Sequence, residues 1–328
     1  MAEPGRRSGI GLRVGKIAGL IVIGAAAVAL GADQPPPSAA PTPAAKAGST
    51  AAPAPQQTCV GSEVCRACHP DRFSTVERSS MGKIIMQFPR TDLEKRGCES
   101  CHGPRSLHVG DPTNPAYWQG LFGAHGAKAT PARRDAVCNA CHDKGDHLYW
   151  SGSLHDRSNL SCVTCHSVHA PASSRNLLTQ PDEFQLCGGC HIVRRAQLMR
   201  TSHMPLRESK LTCSTCHNPH GTVLPHLVRG TSPNELCYRC HPERRGPFLW
   251  EHQPVRENCM SCHQPHGSIQ DHLLTRKAER LCQACHIAPR HPGQPHGADT
   301  RFVFNRSCRN CHSQIHGSNH PSGRRLLR

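Results

Sequence analysis

A chain of 328 residues would ordinarily hold two domains, yet only 36% of its residues are hydrophobic, a figure that counts 21 cysteines, so two conventional apolar cores are excluded. A formal net charge of +16 would fit nucleic-acid binding, but aromatic residues make up only 4% and no basic motif interleaves with them, which argues against that class.

Arg6, Arg7, Arg13 and Lys16 precede an apolar run from Ile17 to Leu30, and Ala29, Gly31 and Ala32 suit a signal-peptidase site. Residues 1–32 are therefore expected to be a secretory signal. The run is shorter than the roughly 18 to 20 residues needed to cross a bilayer, which weighs against an uncleaved anchor. Residues 33–58 are rich in proline and alanine, with Pro35, Pro36, Pro37, Pro41, Pro43, Pro53 and Pro55, and hold almost nothing to bury. This stretch reads as a flexible, partly extended tether.

From residue 59 to 328 the pentapeptide Cys-x-x-Cys-His recurs ten times and takes up twenty of the cysteines. Each copy offers two thiols that can bond to the vinyl groups of a haem, followed by an imidazole placed to bind the iron. The sites alternate between two kinds. The first kind comprises Cys65 and Cys68 with His69, Cys138 and Cys141 with His142, Cys187 and Cys190 with His191, Cys237 and Cys240 with His241, and Cys282 and Cys285 with His286. The second comprises Cys98 and Cys101 with His102, Cys162 and Cys165 with His166, Cys213 and Cys216 with His217, Cys259 and Cys262 with His263, and Cys308 and Cys311 with His312.

The spacing predicts ten covalently bound haem c groups in five dihaem repeats, each of roughly 45 to 70 residues. The apolar haem faces would fill the interior that the side chains cannot, and the negative charge of the propionates accounts for much of the lysine and arginine excess. Paired thiolates also bind zinc, but a histidine directly after the second cysteine in all ten copies, on an exported chain, favours haem. Cys59 is left as the odd thiol, with no nearby base to activate it.

Fifteen histidines remain for the far side of the irons. His155, His203, His252 and His296 lie ten to thirteen residues after first-kind sites, while His108, His169, His220, His266 and His316 follow second-kind sites by three to six. A histidine three residues past a proximal ligand sits on the same side of that haem, so this second group is expected to serve neighbouring haems. The tenth position holds Met81, twelve residues after His69. Methionine is an established axial ligand that raises haem potential, which suggests His/Met ligation of the first haem. The alternative is that Met81 only packs and His125 or another spare histidine is the ligand. His125, His147, His226, His272, His291 and His320 have no assigned role, although His226 and His272 share a position six residues past His220 and His266 and could compete as ligands.

Helical patches are expected at 184–198 and 278–288, and frequent proline and glycine keep the rest in turns. The fold class is thus mostly irregular with short α-helices and little or no β-sheet. With these sites, their alternation and the closing segment from Cys308 to Gly323, the chain resembles the decahaem MtrA/DmsE family over roughly Cys59 to the C-terminus.

The resemblance implies an elongated haem chain inserted in an outer-membrane β-barrel porin. It would exchange electrons with a periplasmic or inner-membrane cytochrome, and with an extracellular multihaem cytochrome or terminal reductase. The implied setting is the periplasm at the outer membrane, in metal or dimethyl sulfoxide respiration or iron oxidation. Iron closed by two protein ligands exchanges electrons and activates no substrate, so the reading is an electron carrier and not an enzyme. A soluble periplasmic shuttle or store would share these sites. A multihaem reductase would need a vacant iron position, often signalled by a variant motif, and all ten motifs are regular.

Overall fold

A computed structural model of the chain describes residues 56–118, 120–123, 129–287 and 307–327. The chain divides into two units after Ala54, and every described residue belongs to the second. The expected signal segment, most of the tether, and His125, His291 and His296 lie outside the described residues.

Among the described residues the chain forms short helices joined by turns, and β-type pairing occurs only as isolated bridges such as His166 with Leu178, His217 with Val228 and His263 with Leu274. Each first-kind motif sits at the end of a helix: Ser62–Cys68, Pro131–Asn139, Glu183–Cys190, Pro233–Tyr238 and Ala278–Gln283. Three of these start on side-chain caps, with Thr130, Asp182 and Ser232 accepting from the backbone N–H of Arg133, Gln185 and Glu235. Each second-kind motif is little more than one turn: Glu99–His102, Cys162–Cys165, Cys213–Cys216, Cys259–Ser261 and Cys308–Asn310. Both forms place cysteines three residues apart on one helical face, as two bonds to one planar group require.

The expected helix over 184–198 is broken at His191 (φ −86°, ψ 56°), so Glu183–Cys190 and Ile192–Leu198 are separate helices with the proximal histidine at the corner. The one expected from Ala278 ends at Gln283.

Within each repeat the first cysteines of the two motifs lie side by side: Cys65 with Cys98, Cys138 with Cys162, Cys187 with Cys213, Cys237 with Cys259, and Cys282 with Cys308. A polar side chain upstream of several first-kind motifs holds this pairing. The Asp135 carboxylate, almost fully buried, accepts from Trp150 Nε1, Ser161 Oγ and the Cys162 N–H. Glu183 accepts from the Ser214 N–H and Oγ, each at 2.7 Å, and Asn234 Oδ1 accepts from the Cys259 N–H at 2.8 Å. In the first repeat Glu99 is buried and accepts from the N–H groups of Val60, Gly61 and Arg105, each at 2.9 Å.

Between repeats, Cys101 lies near Cys138 and Cys141, Cys165 near Cys190, Cys216 near Cys240, and Cys262 near Cys285. The attachment sites therefore succeed one another in sequence order. Glycines permit close contact between segments of successive repeats. A Cβ on Gly221 or Gly267 would come within 2.1 Å of Tyr149 O or 2.0 Å of Gln197 O, and one on Gly317 within 2.2 Å of the Phe248 ring; each glycine also has positive φ.

Among the described residues the buried hydrophobic side chains are Phe73, Val76, Trp150, Leu178, Leu198 and Leu326, fewer than the eight buried polar or charged ones. The interior is instead a continuous channel of about 6070 Å³.

Candidate functional site

All twenty motif cysteines and all ten proximal histidines line this channel. So do Met81, His108, His155, His169, His220, His252, His266 and His316. His203 does not, and Cys59 is an exposed thiol away from it. A tenth of the channel, about 600 Å³ per attachment site, falls within the roughly 300 to 1,000 Å³ usual for cofactor sites.

The imidazoles meet across it in pairs. His69 faces His108 with ring centroids 6.4 Å apart, His102 faces His169 at 5.9 Å, and His166 faces His220 at 6.1 Å. His217 faces His266 at 6.0 Å, His263 faces His316 at 6.2 Å, His252 faces His286 at 6.4 Å and His155 faces His191 at 6.2 Å. In all but the last the ring planes lie within 28° of parallel. A metal–imidazole bond of about 2.0 Å, with the ring centre about 1.1 Å further on, puts two rings that share one metal ion ~6.2 Å apart. The residues present thus fit axially ligated haem.

Hydrogen bonds orient many of these rings. Nδ1 of the proximal His166, His217, His263 and His312 lies 2.6, 2.9, 2.8 and 2.5 Å from the carbonyls of Asn176, His226, His272 and Arg325. Nδ1 of the facing His155 and His252 lies 2.9 and 3.1 Å from the carbonyls of Pro219 and Ile315. Donation from Nδ1 leaves Nε2 as the free lone pair, fixing tautomer and ring plane before a metal binds. His108, His220 and His266 each carry a buried Nδ1 without a hydrogen-bond partner in the polypeptide.

Burial pushes His102, His220, His266 and His316 down to about 4, and it lowers His169, His191 and His252 in the same direction. The rings are therefore neutral at neutral pH, the form that binds iron. Burial likewise raises the Cys101 thiol to about 11.

Several placements differ from the expectations drawn from spacing. His108, not Met81, stands opposite His69. His203 has Nδ1 2.6 Å from the Arg200 carbonyl and Nε2 3.1 Å from Glu208 Oε1. His147 packs its ring 4.2 Å from that of His220 and, at 5.5 Å and 56°, is tilted against His142. His226 and His272 act through their carbonyls, each in a left-handed turn with the following leucine (φ 57 to 59°). Asn176 does the same with φ 58°. These carbonyl anchors were missed because a backbone acceptor has no side-chain signature. The usable signal was a histidine nine residues after both His217 and His263.

Attachment thiols, proximal imidazoles and facing imidazoles along one channel define a multihaem c-type cytochrome. Residues 155–196, 203–246 and 252–291 match a family described as a doubled CXXCH motif. Each match starts on His155, His203 or His252 and spans a second-kind site and the first-kind site of the next repeat.

The chain is 38% identical over 277 residues to the multihaem cytochrome MtrA of Shewanella baltica (strain OS185), covering 82% of this chain and 81% of that protein. It is also 26% identical over 145 residues to the cytochrome c-type protein NrfB of Haemophilus influenzae, covering 39% of this chain and 64% of that protein. The chain belongs to the MtrA family of multihaem cytochromes, which makes it an electron-transfer protein.

Proposed function

We propose that the chain is a decahaem conduit that carries electrons between the periplasm and the cell exterior inside an outer-membrane β-barrel porin. The observation that supports this most is the set of facing imidazoles strung along one channel, in register with attachment sites that follow one another in sequence order. Haem supplies one-electron iron chemistry there. The polypeptide would hold each haem through its motif cysteines and close its iron with a motif histidine and a facing side chain. With no position left open to a small molecule, the chain acts as a carrier without substrate chemistry of its own.

In this reading the ten CxxCH histidines are the proximal ligands, and the seven facing pairs give the distal ones. Register supplies the remaining three. His155 and His252 each face the first-kind site of the next repeat, so Met81 falls to the haem at His142 and His203 to the one at His241, while His296 closes the last, at His312. His203 would exchange Glu208 for iron on haem binding.

Among the described residues no helix is long and apolar enough to cross a membrane, so passage through the outer membrane falls to the barrel. Electrons would come from or go to a periplasmic or inner-membrane cytochrome on one side and an extracellular multihaem cytochrome or terminal reductase on the other. These partners would serve metal or dimethyl sulfoxide respiration or iron oxidation. A second reading, a soluble periplasmic carrier, would use the same attachment sites and facing imidazoles without a barrel.

Reconstitution in liposomes holding an internal redox dye separates the two. External reductant should bleach the dye only when the haem-loaded protein and a candidate barrel are both present. Failure of the barrel and cytochrome to associate, or bleaching that ignores either component, would reject the conduit.

A further inference from the structure

The fifth repeat carries a charge pattern that haem binding leaves unexplained. Among its described residues, 272–287 and 307–327, Arg276, Lys277, Arg280, Arg309, Arg324 and Arg325 are all exposed, and Glu279 is the single carboxylate. None of the six cations forms an ion pair among the described residues. The preceding repeat is built the other way. Residues 231–271 hold four arginines against five carboxylates, and Arg244, Arg245 and Arg256 pair with Glu243, Glu235 and Glu251 at 3.3, 3.2 and 3.1 Å.

A ferric haem with two propionates adds roughly one net negative charge. Over residues 272–328 the sequence carries ten lysines and arginines against two carboxylates, so two haems take the fifth repeat from a net +8 to about +6, and the fourth from −1 to about −3. The surplus sits beside the attachment sites of the fifth repeat, and all six cations line the channel with them. A positive rim around an accessible redox centre is the geometry that steers a negatively charged partner into electron-transfer contact.

We propose that the fifth repeat is a docking surface for an acidic redox protein, with Arg276, Lys277, Arg280 and Arg324 as its principal cations. This rests on the electron-transfer reading of the chain and is independent of the barrel. A protein partner is favoured over an anionic lipid surface because the cations border the haem channel itself, where only a partner that exchanges electrons benefits from approach.

Stopped-flow reduction of the oxidised, haem-loaded protein by an acidic flavodoxin hydroquinone tests it. One electron passes from the flavin, leaving its semiquinone, to a ferric haem, which becomes ferrous. The second-order rate should fall about tenfold or more between low and high salt. R276Q/K277Q/R280Q should lower the low-salt rate about tenfold and flatten the salt dependence. K83Q/R90Q/R96Q, the same charge change on exposed cations of the first repeat, should leave both nearly unchanged.

Reduced lumiflavin, small and neutral, should reduce all three proteins at one rate. The proposal fails if the two triple variants behave alike toward flavodoxin, or if lumiflavin rates fall in parallel, which would assign the cations to the propionates. It also fails if the fifth-repeat variant loses binding to phosphatidylglycerol vesicles while its flavodoxin rate is unchanged, which would make the rim a lipid contact.

Discussion

Met81 offers a thioether where the corresponding positions of the other repeats offer imidazole, and it lines the same channel as His142. Because His108 faces His69, the pairing proposed above puts the sulfur at the second first-kind site. A thioether is a weaker donor than imidazole and raises the potential of its iron. Met81→His should therefore abolish a methionine-to-iron charge-transfer band in the oxidised spectrum and lower the potential of one haem. Met81→Ala should leave one haem per chain open to carbon monoxide. A Met81→His spectrum indistinguishable from that of the unmodified protein would assign the position to His125 or His147 instead. The glycines directly after His220, His266 and His316 show the same economy at residue scale. Each lets a ligand-bearing turn approach the preceding repeat to a distance that no Cβ allows.

The working element is the second-kind turn together with the loop that follows it. The loop returns through left-handed residues, so that the carbonyl of Asn176, His226 or His272 meets the proximal Nδ1, while a short residue count places the next distal histidine against the repeat before. Substitution of a distal histidine should thus open a haem attached elsewhere. His220→Ala should make one haem reactive to carbon monoxide, and that haem should be the one on Cys162 and Cys165, whose proximal His166 it faces, not the one on the nearby Cys213 and Cys216. Removing Cys162 and Cys165 in the same variant should eliminate the carbon monoxide signal, whereas removing Cys213 and Cys216 should preserve it; the reverse result would overturn the pairing. The attachment motifs, their two kinds and the supply of histidines were legible in the sequence because each is a local pattern. Which histidine faces which was not, because a facing pair such as His220 and His166 joins two repeats through a turn whose direction is set by backbone conformation. The latches made by Asp135, Glu183 and Asn234 were hidden for a similar reason, since their partners are N–H groups exposed only by the start of a later helix.

At the scale of the whole molecule, the polypeptide has too little apolar burial to hold itself together. Among the described residues six hydrophobic side chains are buried, whereas Val223, Leu249, Ile269 and Ile287 are more than 70% exposed. Burying a large apolar side chain contributes about 1.5 to 3 kcal/mol. Ordering the backbone costs about 1 to 2 kcal/mol per residue, and among the described residues the secondary structure that might share this cost is confined to helices of nine residues or fewer. The missing stabilisation is expected from apolar porphyrin faces filling the 6070 Å³ channel and, with ten haems as proposed, from twenty thioether bonds shortening the loops of the unfolded chain. Haem attachment and folding are then one process, as metal binding and folding are in small zinc domains. The chain produced without a haem-attachment system should show no cooperative thermal transition, should exchange its backbone amides within seconds and should be digested throughout residues 59–328. The haem-loaded protein should resist digestion there and protect the amides bonded across the motif turns, such as those of His166 and His217. Protected amides at these positions in the haem-free chain would mean that the latches and left-handed turns suffice to set the channel before the cofactors arrive.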